Sequence, residues 1–143
     1  ECTLSDISSD ALELAADNSK SLKADVRIVQ SDLFEEFADE KFDIIVSNPP
    51  YIRRADIDKL QTEVREFDPH LALDGGEDGL EFYRNIADEV QNYLKRSGYL
   101  ICEIGADQGD DVVKIFKEAG AVNARIIKDF TDKDRILEAR FDN

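Results

Sequence analysis

The chain has 143 residues, 42% hydrophobic and 36% charged, with 33 acidic against 18 basic side chains and a formal charge of −15. That is length enough for one domain with a real core, while no apolar run reaches the roughly eighteen residues of a membrane span and no signal-peptide pattern opens the chain. The acidic excess opposes non-specific binding to nucleic acid, which depends on lysine and arginine neutralising phosphates. Cys2, Cys102 and the single histidine, His70, match no metal-ligand spacing, so we expect a reduced, cytoplasmic setting without a metal site.

In chain order, Cys2-Thr3-Leu4 reads as the end of a strand with Asp6 just beyond it. Ser8 or Ser9 caps a helix to about Leu22, whose apolar stripe is Leu12, Ala15, Ala16 and Leu22. An acidic residue at such a strand tip either hydrogen-bonds ribose hydroxyls, as in nucleotide folds, or serves the helix N-terminus as a capping carboxylate. Val26 to Gln30 suits a short strand and is followed by Ser31-Asp32-Leu33-Phe34. Asp32 is either a turn residue or an acceptor for an adenine amino group, with Leu33 against the base.

Within Phe42-Asp43-Ile44-Ile45-Val46-Ser47, Ile44, Ile45 and Val46 form a continuous apolar β-branched run of the kind buried on both faces of a parallel sheet. It runs into Asn48-Pro49-Pro50-Tyr51, where two prolines forbid both helix and ladder pairing. Asn48 is thereby expected at the carboxyl end of a central strand, where open α/β sheets bind ligands. Its amide oxygen and the Pro49 carbonyl are two acceptors on stiff backbone, able to take one hydrogen each from a planar –NH2 group. Tyr51 supplies a flat face for the group behind that nitrogen. The alternative is a Pro-Pro turn in which Asn48 makes only a local turn bond. The tetrapeptide after an apolar strand resembles the substrate motif of S-adenosylmethionine-dependent methyltransferases that act on amide or exocyclic amine nitrogens.

Beyond it, 52–78 is an acidic segment of poor periodicity with a short helix expected at 56–60, a candidate substrate wall. Asp74-Gly75-Gly76-Glu77-Asp78-Gly79 fits neither a calcium loop nor a phosphate loop and reads as a tight turn into a helix. Leu80 to Lys95 has the clearest helical stripe, Tyr83, Ile86, Ala87, Val90 and Leu94. Tyr99 to Ile104 reads as a buried strand, Asp107 to Ala119 as a helix stopped by Gly120, and 124–128 with 135–141 as an antiparallel edge hairpin. The alternation predicts an α/β, Rossmann-like fold with a mainly parallel sheet.

Taken together, Leu4 to Ser8, Ser31 to Phe34, Phe42 to Ile52, Leu71 to Leu80, Gly98 to Leu100, Glu103 to Gly105, Lys128-Asp129 and Asp134-Arg135 resemble, in consistent order, the catalytic domain of glutamine methyltransferases that modify peptide chain release factors. The resemblance implies S-adenosyl-L-methionine as cofactor, with Asp6 on its ribose and Asp32 and Leu33 on its adenine. It implies that Asn48, Pro49, Pro50 and Tyr51 hold the target glutamine, with Asn48 also near the cofactor and Asn48 and Pro49 in the catalytic role. The expected function is protein methylation in translation termination, on a release factor and without direct contact to nucleic acid or membrane. Alternatives are a ribosomal-protein glutamine methyltransferase, an adenine amine methyltransferase and a non-catalytic binding module. The family's first strand, its glycine-rich cofactor turn and its N-terminal helical domain have no counterpart in residues 1–143. We therefore expect this chain to be a partial catalytic domain, inactive and weak in cofactor binding on its own.

Overall fold

The computed structural model describes residues 1–142, in two units that divide after Glu40. In the first, β1 (Cys2–Asp6) and β2 (Val26–Gln30) pair in parallel through the helix α1 (Ser9–Leu22). Ser8 is the N-cap, its hydroxyl accepting from Ala11 N at 3.3 Å, and Lys23 closes the helix in the left-handed conformation. Leu12, Ala15 and Ala16 are half-buried as expected, whereas Leu22 is 78% exposed. Leu22 is the last residue of α1, one position before the Lys23 cap.

The second unit holds a four-stranded sheet in the order β3-β4-β6-β5. Here β3 (Phe42–Ser47) is parallel to β4 (Leu94–Glu103), and β6 (Asp134–Arg140) lies antiparallel between β4 and β5 (Asn123–Lys128). The register aligns Leu100 with Ala139 and Cys102 with Leu137, and these side chains are buried with Val112 and Phe116 of α5 (Gly109–Glu118) and Tyr83 and Ile86 of α4 (Glu81–Glu89). Burial of each large side chain is worth about 1.5–3 kcal/mol. At the end of α5, Gly120 adopts φ +96° and donates to Lys117 O, the expected stop.

Three expectations are corrected. The long helix to Lys95 ends at Glu89, a 3₁₀ turn covers 90–92, and Leu94 already belongs to β4. Leu94 fits the helical stripe because it is buried either way, but Tyr93 O accepts from Phe42 N at 2.8 Å and draws the backbone into the sheet. Similarly, among the described residues β3 is an edge strand of its sheet, paired with β4 alone, and not central or covered on both faces. Ile44 and Val46 are 56% and 72% exposed, since they share with Tyr99 the face opposite the helix-covered one. The acidic segment after β3 contains more helix than expected: a 3₁₀ turn at Arg54–Lys59, then α2 (Thr62–Phe67) and α3 (His70–Leu73).

Candidate active site

Past Ser47 the prolines carry the backbone out of the ladder, and three separate devices then hold it. Ile52 N donates to Leu73 O at 3.1 Å and Gly75 N to Ile52 O at 2.8 Å, a short parallel bridge that ties the strand exit to the glycine loop. That loop approaches closely: a Cβ on Gly75 would lie 2.8 Å from the Tyr51 carbonyl carbon, and one on Gly79 would lie 2.6 Å from the Tyr51 oxygen. The third device is Gln108, 2% exposed, whose amide nitrogen donates to Tyr51 O at 3.0 Å and Gly79 O at 3.1 Å while its oxygen accepts from Gly105 N at 3.0 Å. A buried amide so fully bonded holds three chain segments together at little desolvation cost.

The result is a cleft of about 300 Å³ lined by Asn48, Pro49 and Tyr51, together with Asp68 and Pro69 from the link between α2 and α3. The segment after β3 thus supplies the expected wall. Pro49 is buried and Asn48 is exposed, and the Asn48 amide makes no hydrogen bond among the described residues. A local turn bond, which the Pro-Pro-turn alternative requires, is therefore not formed. Asn48 and Pro49 stand together at the cleft, with Tyr51 beside them.

Tyr51 is itself tethered. Its hydroxyl donates to Glu103 Oε1 at 2.9 Å, and Arg135 Nη1 lies 3.5 Å from that hydroxyl and 3.8 Å from the same carboxylate oxygen. Burial first, and then the Glu103 hydrogen bond, raise the phenol above its usual range, so it stays a donor. Arg135 Nε also faces Asp129 Oδ2 at 3.5 Å, while Asp129 Oδ1 accepts from Thr131 N, Thr131 Oγ1 and Lys133 N in the β5–β6 turn. The Thr131 bonds come first among the causes that hold the Asp129 carboxyl at about 2. A depressed carboxyl stabilises the folded state above its unfolded pKa, so this contribution is complete above about pH 4 and disappears as pH falls towards 2. Thermal melts over that range should show a smaller acid-dependent loss for Asp129→Asn than for the unaltered chain. Equal losses would mean that the turn does not depend on this charge.

Of the cofactor residues named from the sequence, Asp6, Asp32 and Leu33 lie in the first unit and Asn48 in the second. The register Asp6↔Gln30 and the bond from Ser31 N to Asp6 O at 3.1 Å bring Asp6 and Asp32 to one end of the β1–β2 ladder. Asp6 Oδ1 accepts from Ser8 N at 2.8 Å, which realises the capping role, and it leaves the other oxygen available to a ligand. Asp32 is exposed, and Leu33, half-buried, adopts φ +46°. Carboxylates at adjacent strand ends suit hydroxyl and amino donors, so this pair of acceptors fits the nucleoside half of S-adenosylmethionine.

Several residues escaped the sequence reading as site residues. Gln108 shows no motif of its own, and its importance comes only from burial. Glu103 and Arg135 carried a signal, since both stand in segments shared with the glutamine methyltransferases, but nothing linked them to Tyr51. The adjacent arginines Arg53 and Arg54 are both neutralised: Arg53 Nη1 meets Asp107 at 2.8 Å and Arg54 Nε meets Asp74 at 2.9 Å. Cys102 is buried in the core, its thiol pushed up to about 12 by burial, and is no nucleophile.

Residues 1–77, including the whole Asn48–Tyr51 motif, match the methyltransferase small domain. The chain belongs to that family. It is similar to the release factor glutamine methyltransferase of Geobacter sulfurreducens, 42% identical over 130 residues that make up 91% of this chain and 46% of that protein. The chain spans about half the length of the curated relatives it matches. In fold, this family member is similar to a methyltransferase from Pyrococcus furiosus, with a TM-score of 0.73 at 17% identity over 99% of this chain and 62% of the other. It is also similar to the release factor-specific protein-(glutamine-N5) methyltransferase of Alicyclobacillus acidocaldarius, with a TM-score of 0.51 at 23% identity over 99% of this chain and 79% of that one. The architecture is thus the Rossmann-like α/β methyltransferase fold, with parallel pairs and an antiparallel edge hairpin. No helix among the described residues is long and apolar enough to cross a membrane.

Proposed function

We propose that this chain is part of the catalytic domain of an S-adenosylmethionine-dependent methyltransferase acting on the side-chain amide nitrogen of a glutamine in a peptide chain release factor. The observation that carries it is the cleft lined by Asn48 and Pro49 beside the tethered Tyr51, and the likeness to release factor glutamine methyltransferases supports the substrate. Asp6 would hold the cofactor's ribose, Asp32 and Leu33 its adenine. When bound, S-adenosylmethionine supplies an electrophilic methyl group on a sulfonium sulfur.

An amide nitrogen is a poor nucleophile because its lone pair is delocalised. The amide oxygen of Asn48 and the carbonyl of Pro49 each accept one of its N–H groups, aim the lone pair and stabilise the positive charge that grows as the N–C bond forms and the S–C bond breaks. The surplus proton then passes to solvent. Tyr51 flanks the planar group, and Asp68 and Pro69 close the other part of the cleft around the substrate chain. The neutralised arginines and the charge of −15 favour a protein substrate over nucleic acid, in keeping with a cytoplasmic role in translation termination. Mass spectrometry of a release factor and of an adenine-containing oligonucleotide, each incubated with the full protein and S-adenosylmethionine, tests this. We expect one added methyl on glutamine and none on adenine. Methylation of adenine alone would overturn the assignment.

A further inference from the structure

We propose that Glu103, Arg135 and Asp129 form a positioning relay that runs from the β5–β6 turn to the Tyr51 ring and holds that ring in its substrate-ready orientation. The inference rests on the proposed role of Tyr51 beside the glutamine amide.

The relay has a fixed origin. Asp129 Oδ1 collects three hydrogen bonds within its own turn, at 2.7, 2.7 and 3.2 Å, so the carboxylate is immobilised before it meets Arg135. Its second oxygen faces Arg135 Nε. The other end of the guanidinium reaches Ile104 O at 3.3 Å, at the end of β4, and the Glu103 carboxylate at 3.8 Å. Glu103 then accepts the Tyr51 hydroxyl at 2.9 Å, and its own backbone carbonyl accepts from Tyr83 Oη, a fully buried side chain of α4. The four relay side chains are only partly exposed, so their bonds are less screened than those of a surface pair. Their topology also suits the task. Residues 51, 103, 129 and 135 lie at the end of β4 and at either side of the β5–β6 turn, beside the segment that leaves β3. A tyrosine freed of this tether would sample further rotamers, and ordering it on binding would subtract from the interaction with substrate.

The test is a double-mutant cycle in the full protein, with kcat/KM for methylation of a glutamine peptide as readout. We expect Glu103→Gln and Tyr51→Phe each to lower kcat/KM by about threefold to tenfold, the range expected for losing the preorganisation of one side chain. The double variant should lose no more than the worse single variant, because both substitutions sever the same link. Additive losses would overturn the relay and leave Glu103 a merely structural residue. A second readout does not need activity. Ultraviolet titration of the Tyr51 phenol, isolated by subtracting the Tyr51→Phe protein, should show its midpoint fall in Glu103→Gln and rise in Arg135→Gln, since the carboxylate disfavours the phenolate and the guanidinium favours it. An unchanged midpoint in Glu103→Gln would also overturn the relay. If the unaltered protein fails to methylate glutamine while the midpoints shift as stated, the relay stands and the functional assignment falls.

Discussion

Asn48→Ala in the full protein should lower the rate of methyl transfer in a single turnover by roughly 10²–10³, about 3–4 kcal/mol, by analogy with removing one preorganised polar contact from other active sites. The two prolines keep the backbone in place, so the Pro49 carbonyl still accepts one N–H while the other is left unheld. Because the interaction strengthens as positive charge grows on nitrogen, the loss should fall on turnover and leave cofactor affinity unchanged. The structure sharpens the contrast with a purely structural role. Asn48 is exposed and makes no hydrogen bond among the described residues, so its removal should change folding stability by no more than about 0.5 kcal/mol. Single-turnover methylation measured alongside a urea melt separates the two effects. A folded Ala variant with normal turnover would end the catalytic assignment.

Gly79→Ala should be the most damaging single substitution for stability around the cleft, at about 2–4 kcal/mol in a urea melt. Two separate effects contribute. Gly79 has φ +76°, where an L-residue is strained, and an added Cβ would come within 2.6 Å of both the Tyr51 carbonyl oxygen and the Gln108 amide nitrogen. The second effect matters for function, because relief of the clash must displace the backbone that presents Pro49 and Tyr51. Gly79→Asn distinguishes the two. Asparagine tolerates the left-handed region, so a simple turn glycine would be largely rescued, whereas the close approach predicts that Asn does no better than Ala. Recovery of both stability and activity in Gly79→Asn would show that only the turn geometry counts.

Both predictions concern residues whose importance was unequally visible beforehand. Asn48 could be read from sequence because its signal is local: an apolar β-branched run, then two residues that cannot continue the ladder, leaves little choice for the backbone between them. Gly79 was legible as a turn residue but not as a contact, since nothing in the sequence says which distant carbonyl passes beneath it. The same division explains the helix misread at Leu94. Its spacing from Tyr83 and Val90 satisfies a helical stripe, and only the competing bond from Phe42 N to Tyr93 O decides that the backbone turns into β4.

The sequence by itself determined the order of the strands and of the longer helices, a serine cap for α1, the exit of β3 at Asn48-Pro49 and the placing of Asp6 at a strand tip. All of these follow from φ restrictions, side-chain period and short-range hydrogen bonds, which act over a few residues. Tertiary structure alone decided that β6 inserts between β4 and β5, that β3 stands at the edge of its sheet, that Gln108 ties Tyr51 to Gly79 and Gly105, and that Asp129, Arg135 and Glu103 converge on one phenol. Several of these pairings reach far along the chain, 29 positions from Gln108 to Gly79 and 84 from Tyr51 to Arg135. They are set by which buried groups satisfy one another once the strands are in register, and no local propensity encodes that choice.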